Sequence, residues 1–130
     1  MAAVAAKDVM VPLERVVMAE DGQTVDAYRR IFASERFSRL PIYRGDRQTV
    51  VGILSIHNLL AGRHAAKGTL ELETPYVVSA QTPIAEIMVR MQNHGSHTAM
   101  VGNEHGRIIG MATLEDILER LVGAIADEFH

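Results

Sequence analysis

Two stretches of this 130-residue chain carry one pattern: Ser38 to Leu60 and Ser96 to Leu118 align without a gap, 58 positions apart. Identities are few (Ser38/Ser96, Gly52/Gly110, Leu60/Leu118), but the chemical match is dense. Val50, Val51 and Ile53 match Ile108, Ile109 and Met111, Ile56 and Leu59 match Leu114 and Ile117, Ser55 matches Thr113, and Asn58 matches Asp116. Upstream, the helical face Val25, Tyr28, Phe32 matches Ile84, Ile87, Met91 at an offset of 59, so the second copy has lost one residue between its helix and the next strand. A repeat of this kind constrains architecture before any local propensity does. A unit of about 55 residues buries only about 60% of its unfolded surface by itself. The two copies are therefore expected to pack on each other as one pseudo-twofold body.

Composition excludes several functions. With 48% apolar residues there is enough material for a core, and a net charge of −3 argues against a nucleic-acid partner, which calls for a basic stripe. The chain has no cysteine, which removes disulfides, thiolate metal sites and thiol nucleophiles together. No apolar run approaches the roughly 20 residues that span a bilayer. The abrupt start at Met1-Ala2-Ala3 and the acidic end at Ala126-Asp127-Glu128-Phe129-His130 predict a piece excised from a larger protein.

Each copy reads strand, helix, strand, turn, strand, helix, an α/β (α+β) pattern of tandem β-α-β-β-α units. Residues 1–62 are assigned to the first repeat, 63–74 to a polar linker, and 75–130 to the second repeat with its C-terminal helix. In the first, Val16 to Ala19 reads as a strand, and Thr24 caps a helix with Val25, Tyr28, Ile31 and Phe32 on one face. Leu40 to Tyr43 reads as a strand in which Pro41 predicts an edge position. Arg44 to Arg47 is a turn, Val50 to Leu54 a strand, and Ser55 caps a short helix. In the second, Tyr76 to Ser79 is a strand, and Thr82 is expected to cap a helix with Pro83 at its first position. His97 to Val101 and Ile108 to Ala112 are strands, and Leu114, Ile117, Leu118, Leu121, Val122 and Ile125 form one apolar helix face. A right-handed crossover followed by a hairpin places the helices on one side of a small mixed sheet.

The segments Asp8-Val9-Met10-Val11-Pro12, Ser38-Arg39-Leu40-Pro41-Ile42-Tyr43, Val51-Gly52-Ile53 and Gly110 to Glu119, followed by Val122-Gly123 and Asp127-Glu128-Phe129, are similar in order and spacing to a CBS domain pair, and in particular to those of the CorC/HlyC and CNNM magnesium-transport proteins. The resemblance covers Lys7 to Phe129. It implies a transmembrane domain ahead of the pair in a full-length protein, a cytoplasmic location for the pair itself, and disc-like homodimers.

Thr113-Leu114-Glu115-Asp116 reads first as a capping box, with Thr113 at the helix head and Asp116 three residues on. The resemblance implies that this Thr and Asp also bind the ribose of an adenine nucleotide. A carboxylate accepts from two vicinal hydroxyls at once, and a helix head adds free N–H groups. Arg39, within Ser38-Arg39-Leu40-Pro41, occupies the position of a phosphate-contacting arginine, for which a guanidinium fork is suited. The mirrored set, His97 with Ser55 and Asn58, is weaker, since a neutral amide replaces the carboxylate and an imidazole the guanidinium. One strong site is expected. Tyr76, Val77 and Val78, with Ile53 or Met111 behind, are candidate walls for adenine, and equally what an ordinary core contains. The seven methionines read as core filling.

No His-Glu-x-x-His or comparable cluster predicts a protein-only metal site, so magnesium is expected on the nucleotide's phosphates. No nucleophile elbow or phosphate-cradling glycine loop predicts catalysis. The leading expectation is thus a regulatory module that binds ATP, with magnesium, and signals to a membrane domain that exports magnesium or cobalt. The alternative is a module that only dimerises.

Overall fold

Apolar side chains of the two repeats converge on two separate cores, and the described residues (3–35, 37–62 and 70–128 in this computed structural model) fall into two compact units. One runs over Val17–Pro75; the other joins residues up to Val16 with those from Tyr76 onward. In chain order the elements are α1 (Ala6–Val9), β1 (Val11–Pro12), a 3-10 turn (Leu13–Arg15), β2 (Ala19–Glu20), α2 (Val25–Ser34), β3 (Arg39–Arg44), β4 (Asp46–Ser55), α3 (Ile56–Leu60), β5 (Tyr76–Ser79), α4 (Ile84–His94), β6 (Thr98–Gly102), β7 (Ile108–Thr113) and α5 (Leu114–Glu128). Residues 63–69 of the expected linker and Phe129 of the last motif lie outside the described residues.

In the unit of the first repeat the strand order is β2-β3-β4, parallel then antiparallel. Thr24 Oγ1 accepts the Ala27 N–H at 3.1 Å and so caps α2, as its residue type demands. The helix lays Tyr28 and Phe32 on Leu40, Ile42, Leu54 and Leu59. Leu40 and Ile42 of β3 and Leu54 of β4 lie on one sheet face, which meets α2 and Leu59 of α3, and Arg39, Pro41, Ile53 and Ser55 point to the other. Pro41 is not on an edge: β3 is the middle strand. Its missing N–H is harmless because it points toward β2, whose pairing begins only at Ala19 opposite Ile42. The turn is also tighter than Arg44 to Arg47. Gly45, at φ +74, lets the chain reverse so that Arg44 already faces Asp46.

The other unit has the order β1-β7-β6-β5. Ile84, Ile87 and Met91 of α4 and Ile117 of α5 pack on Val78, Ala99, Val101 and Ala112. The helix does not use Thr82 as its cap. It starts one residue later, with Pro83 at the cap position, and the Ile84 N–H donates to the Val4 carbonyl at 3.0 Å. Backbone from the amino-terminal segment thus does what a hydroxyl was expected to do. Gly95, at φ +66, closes α4. The residues before Val16, grouped by sequence with the first repeat, here pack with the second. β1 runs antiparallel to β7, with Val11 opposite Met111 and Pro12 opposite Gly110, and the Asp8 carboxylate accepts the Ala5 N–H at 2.9 Å at the head of α1. An equivalent feature completes the first unit. Glu73 exchanges two backbone hydrogen bonds with Ile53, at 2.9 and 2.8 Å.

Candidate functional site

The chemistry-bearing residues cluster where a strand hands over to a helix. In the unit of the second repeat, β7 ends at Thr113 and α5 begins. Thr113 Oγ1 accepts the Asp116 N–H at 3.2 Å, and the Leu114 N–H donates to the His97 carbonyl at 3.0 Å. The cap leaves the Asp116 side chain half-exposed. Asp116 lines a cleft of about 670 Å³ between α1 and α5 with Val4, Asp8, Val9, Glu119 and Arg120. Three carboxylates against one guanidinium suit hydroxyl donors rather than phosphates. The Arg120 side chain leans toward the Asp8 carbonyl at 3.5 Å.

The adenine-wall candidates separate. Strand β5 is the edge of its sheet and pairs with β6 as Tyr76↔Ala99, Val77↔Met100 and Val78↔Val101. Val78 is buried against α4 in the core, whereas Val77 is 53% exposed and shares the opposite face with Met100 and Met111, which lie in register across the sheet. Tyr76 sits on the helix side and packs its ring against His94, centroids 4.7 Å apart. Only Val77 therefore shares the Thr113 face. The Ala80 N–H donates to the Gly102 carbonyl, so Val77, of opposite parity, turns its backbone N–H and C=O to the open edge.

Ser38, Arg39, Pro41, Ser55 and Asn58 belong to the other unit. Ser55 Oγ accepts the Asn58 N–H at 3.1 Å, the same cap geometry as at Thr113, but it heads a helix of five residues where Thr113 heads one of fifteen. The Ser38 carbonyl accepts the Ile56 N–H at 2.8 Å, and Pro41 is fully buried. Arg39 Nε donates to Glu73 Oε1 at 3.3 Å, a partner that sequence reading missed because Glu73 stands in a segment with no periodic pattern. His97 is exposed. Among the described residues no group of three His, Asp or Glu side chains is placed to hold a metal ion.

This is the architecture of a tandem repeat pair: two α+β units, each with a hydroxyl-capped helix at the end of its last strand. The CBS domain model matches residues 6–64 and 71–123, and the chain belongs to the CBS domain family. It is 31% identical over 127 residues to the magnesium and cobalt efflux protein CorC of Vibrio cholerae, covering 95% of this chain and 44% of that one. Curated relatives are longer: the chain spans 29% to 46% of the lengths of those it matches. Among solved structures, the CBS domain of the bacterial CNNM/CorC family Mg2+ transporter in complex with ATP superposes with a TM-score of 0.81 at 26% identity, over 92% of this chain and 88% of that one. A CBS-domain pair with bound AMP from Klebsiella pneumoniae gives 0.75 at 25% identity, over 92% and 98%. Among the described residues no helix is long and apolar enough to cross a membrane.

Proposed function

We propose that the chain is the regulatory adenine-nucleotide-binding module of a CorC- and CNNM-like membrane protein that exports magnesium or cobalt. The observation that carries this reading is Asp116: a solvent-reachable carboxylate three residues past the Thr113 cap, at the head of a fifteen-residue helix. It occurs in a chain similar to a domain solved with ATP. Asp116 accepts from the two ribose hydroxyls, Thr113 supplies a second oxygen, and the open backbone edge at Val77 meets the adenine edge. Arg39 takes the phosphates, an assignment that rests on the resemblance, and magnesium arrives bound to them. The nucleotide state then biases an adjoining transmembrane domain, with the module in the cytoplasm.

The same reading includes a homodimer. Leu118, Val122 and Ile125 of α5 are 40%, 63% and 56% exposed, so the apolar face read from the sequence is wider than its own core uses, and a second copy is the expected cover. Light scattering at tens of micromolar should give twice the chain mass.

Titration calorimetry with ATP, ADP and AMP, with and without magnesium, tests the binding. Asp116→Ala should weaken the nucleotide by roughly 2–3 kcal/mol, about a hundredfold, while Asn58→Ala leaves it nearly unchanged. A folded Asp116→Ala chain that binds ATP as before reduces Asp116 to a helix-cap residue and leaves a module that only associates.

A further inference from the structure

Arg39 is held by an acid that nothing in the repeat pattern calls for. Its Nε lies 3.3 Å from Glu73 Oε1, with the two side chains 26% and 44% exposed. The backbone of Glu73 is held in place by the two hydrogen bonds to Ile53, so its side chain can turn but the residue stays. Its neighbour Leu72 sits so close over Gly52 that a Cβ there would lie 2.6 Å from the leucine. The residue is therefore anchored at this position, and its carboxylate reaches Arg39 across β4, on the face that carries Ser55 and Ile53.

From this geometry we infer that Glu73 is a resident competitor for Arg39, setting how strongly the module discriminates among anionic ligands by their charge. The inference rests on the proposed role of Arg39 toward phosphates. A surface ion pair made through one nitrogen is weak, and a phosphate that engages the guanidinium fork is the better partner. A phosphate thus displaces the carboxylate from Arg39 but cannot expel it from the neighbourhood. The remaining negative charge opposes the ligand in proportion to the ligand's own charge. Wild-type protein then binds a triphosphate less tightly than its arginine alone would permit, and metal-complexed triphosphate is favoured over the free form.

The experiment is calorimetry of wild type, Glu73→Gln, Arg39→Ala and the double variant against adenosine, AMP, ATP and magnesium-ATP. Glu73→Gln keeps the backbone bridge and the side-chain volume, and an unchanged melting temperature confirms the fold. Affinity for free ATP should rise about three- to tenfold, for AMP by less, and for adenosine not at all. In the Arg39→Ala background the gain for ATP should persist in part, since the charge itself repels. A loss of ATP affinity in Glu73→Gln would mean that Glu73 aims the arginine instead, and no change would mean that it is a bystander; either overturns the inference alone. A wild-type chain that binds no adenine nucleotide overturns the proposed function and this inference with it.

Discussion

In the unit of the second repeat, the outer edge of β7 is covered by a strand, Val11–Pro12; in the unit of the first, the matching edge of β4 is covered by the isolated bridge of Glu73 to Ile53. Both covers come from the segment that precedes the other repeat in the chain. Both cross their strand at the same repeat position, Gly110 in one and Gly52 in the other. At Gly110 a Cβ would meet Met10 Sδ at 2.6 Å and the Val11 carbonyl oxygen at 2.7 Å; at Gly52 it would meet Leu72 side-chain atoms. The glycines are thus identical in the two copies because a second chain segment lies directly over them, not because of a turn. The difference lies in what presses down. Over Gly110 it is the Val11 backbone oxygen with the movable end of Met10; over Gly52 it is Leu72 from its Cβ outward, and that Cβ moves only with its backbone.

That difference orders the expected damage. Gly110→Ala must lift β1 off β7 and should cost about 2–3 kcal/mol. Gly52→Ala must shift the backbone at Leu72, whose Cβ is the nearest atom, and should cost about 1–2 kcal/mol, because an isolated bridge rather than a paired strand is displaced. Urea unfolding of both variants checks it, and equal losses would mean that the two covers are equally rigid. Adding Leu72→Ala to Gly52→Ala removes the Cγ and Cδ1 contacts but not the Cβ one and should return only part of the loss; Met10→Ala should do likewise at Gly110, where the Val11 oxygen remains.

The caps come next. Thr113→Ala and Ser55→Ala each remove one hydrogen bond to the helix head, at 3.2 and 3.1 Å, for about 1 kcal/mol apiece. Thermal unfolding should rank Thr113→Ala as the costlier, since it frays a helix of fifteen residues rather than five. The reverse ranking would show that α3 matters more to its unit than its length suggests.

The smallest effect concerns Tyr28, whose repeat mate Ile87 is buried and cannot titrate. Burial raises the Tyr28 pKa above its ordinary value of 10.0, although its hydroxyl donates to the Glu20 carbonyl at 2.8 Å and accepts the Gln23 N–H at 3.2 Å. The folded state therefore holds the phenol proton more tightly than the unfolded one. The stability this represents is complete below pH 10 and falls as pH climbs through the unfolded value toward the raised one. Comparing Tyr28→Phe with wild type from pH 8 to 11 should show a shallower alkaline decline in the variant. Parallel curves would mean that the phenol is not confined as described.

The repeat, the helix faces and the hydroxyl caps were legible because they rest on periodicity and local hydrogen bonding within a few residues. Leu114, Ile117 and Leu121 pack on the core as their spacing implies. What escaped depends on distant partners. Val11–Pro12 is too short to show alternation, Glu73 sits in unpatterned sequence, and Val4 replaces the Thr82 cap from a place no local rule reaches. For the candidate site, the Thr113 and Asp116 arrangement was readable from the strand-to-helix handover. The face of each β5 residue was not, because three successive apolar residues, Tyr76, Val77 and Val78, carry no parity signal. Only pairing to β6 turns Val77 one way and Val78 the other.

The amino-terminal cover has a mechanical meaning. Val11 is bonded across to Met111, and Met111 is two residues from Thr113. A pull or push delivered at the start of the chain is therefore borne by the sheet of the distant repeat before it reaches the adjacent one. It arrives within one strand step of the residue that opens α5. A load applied at Val4 has a short lever on the helix head that carries Asp116, the joint at which the proposed nucleotide would act.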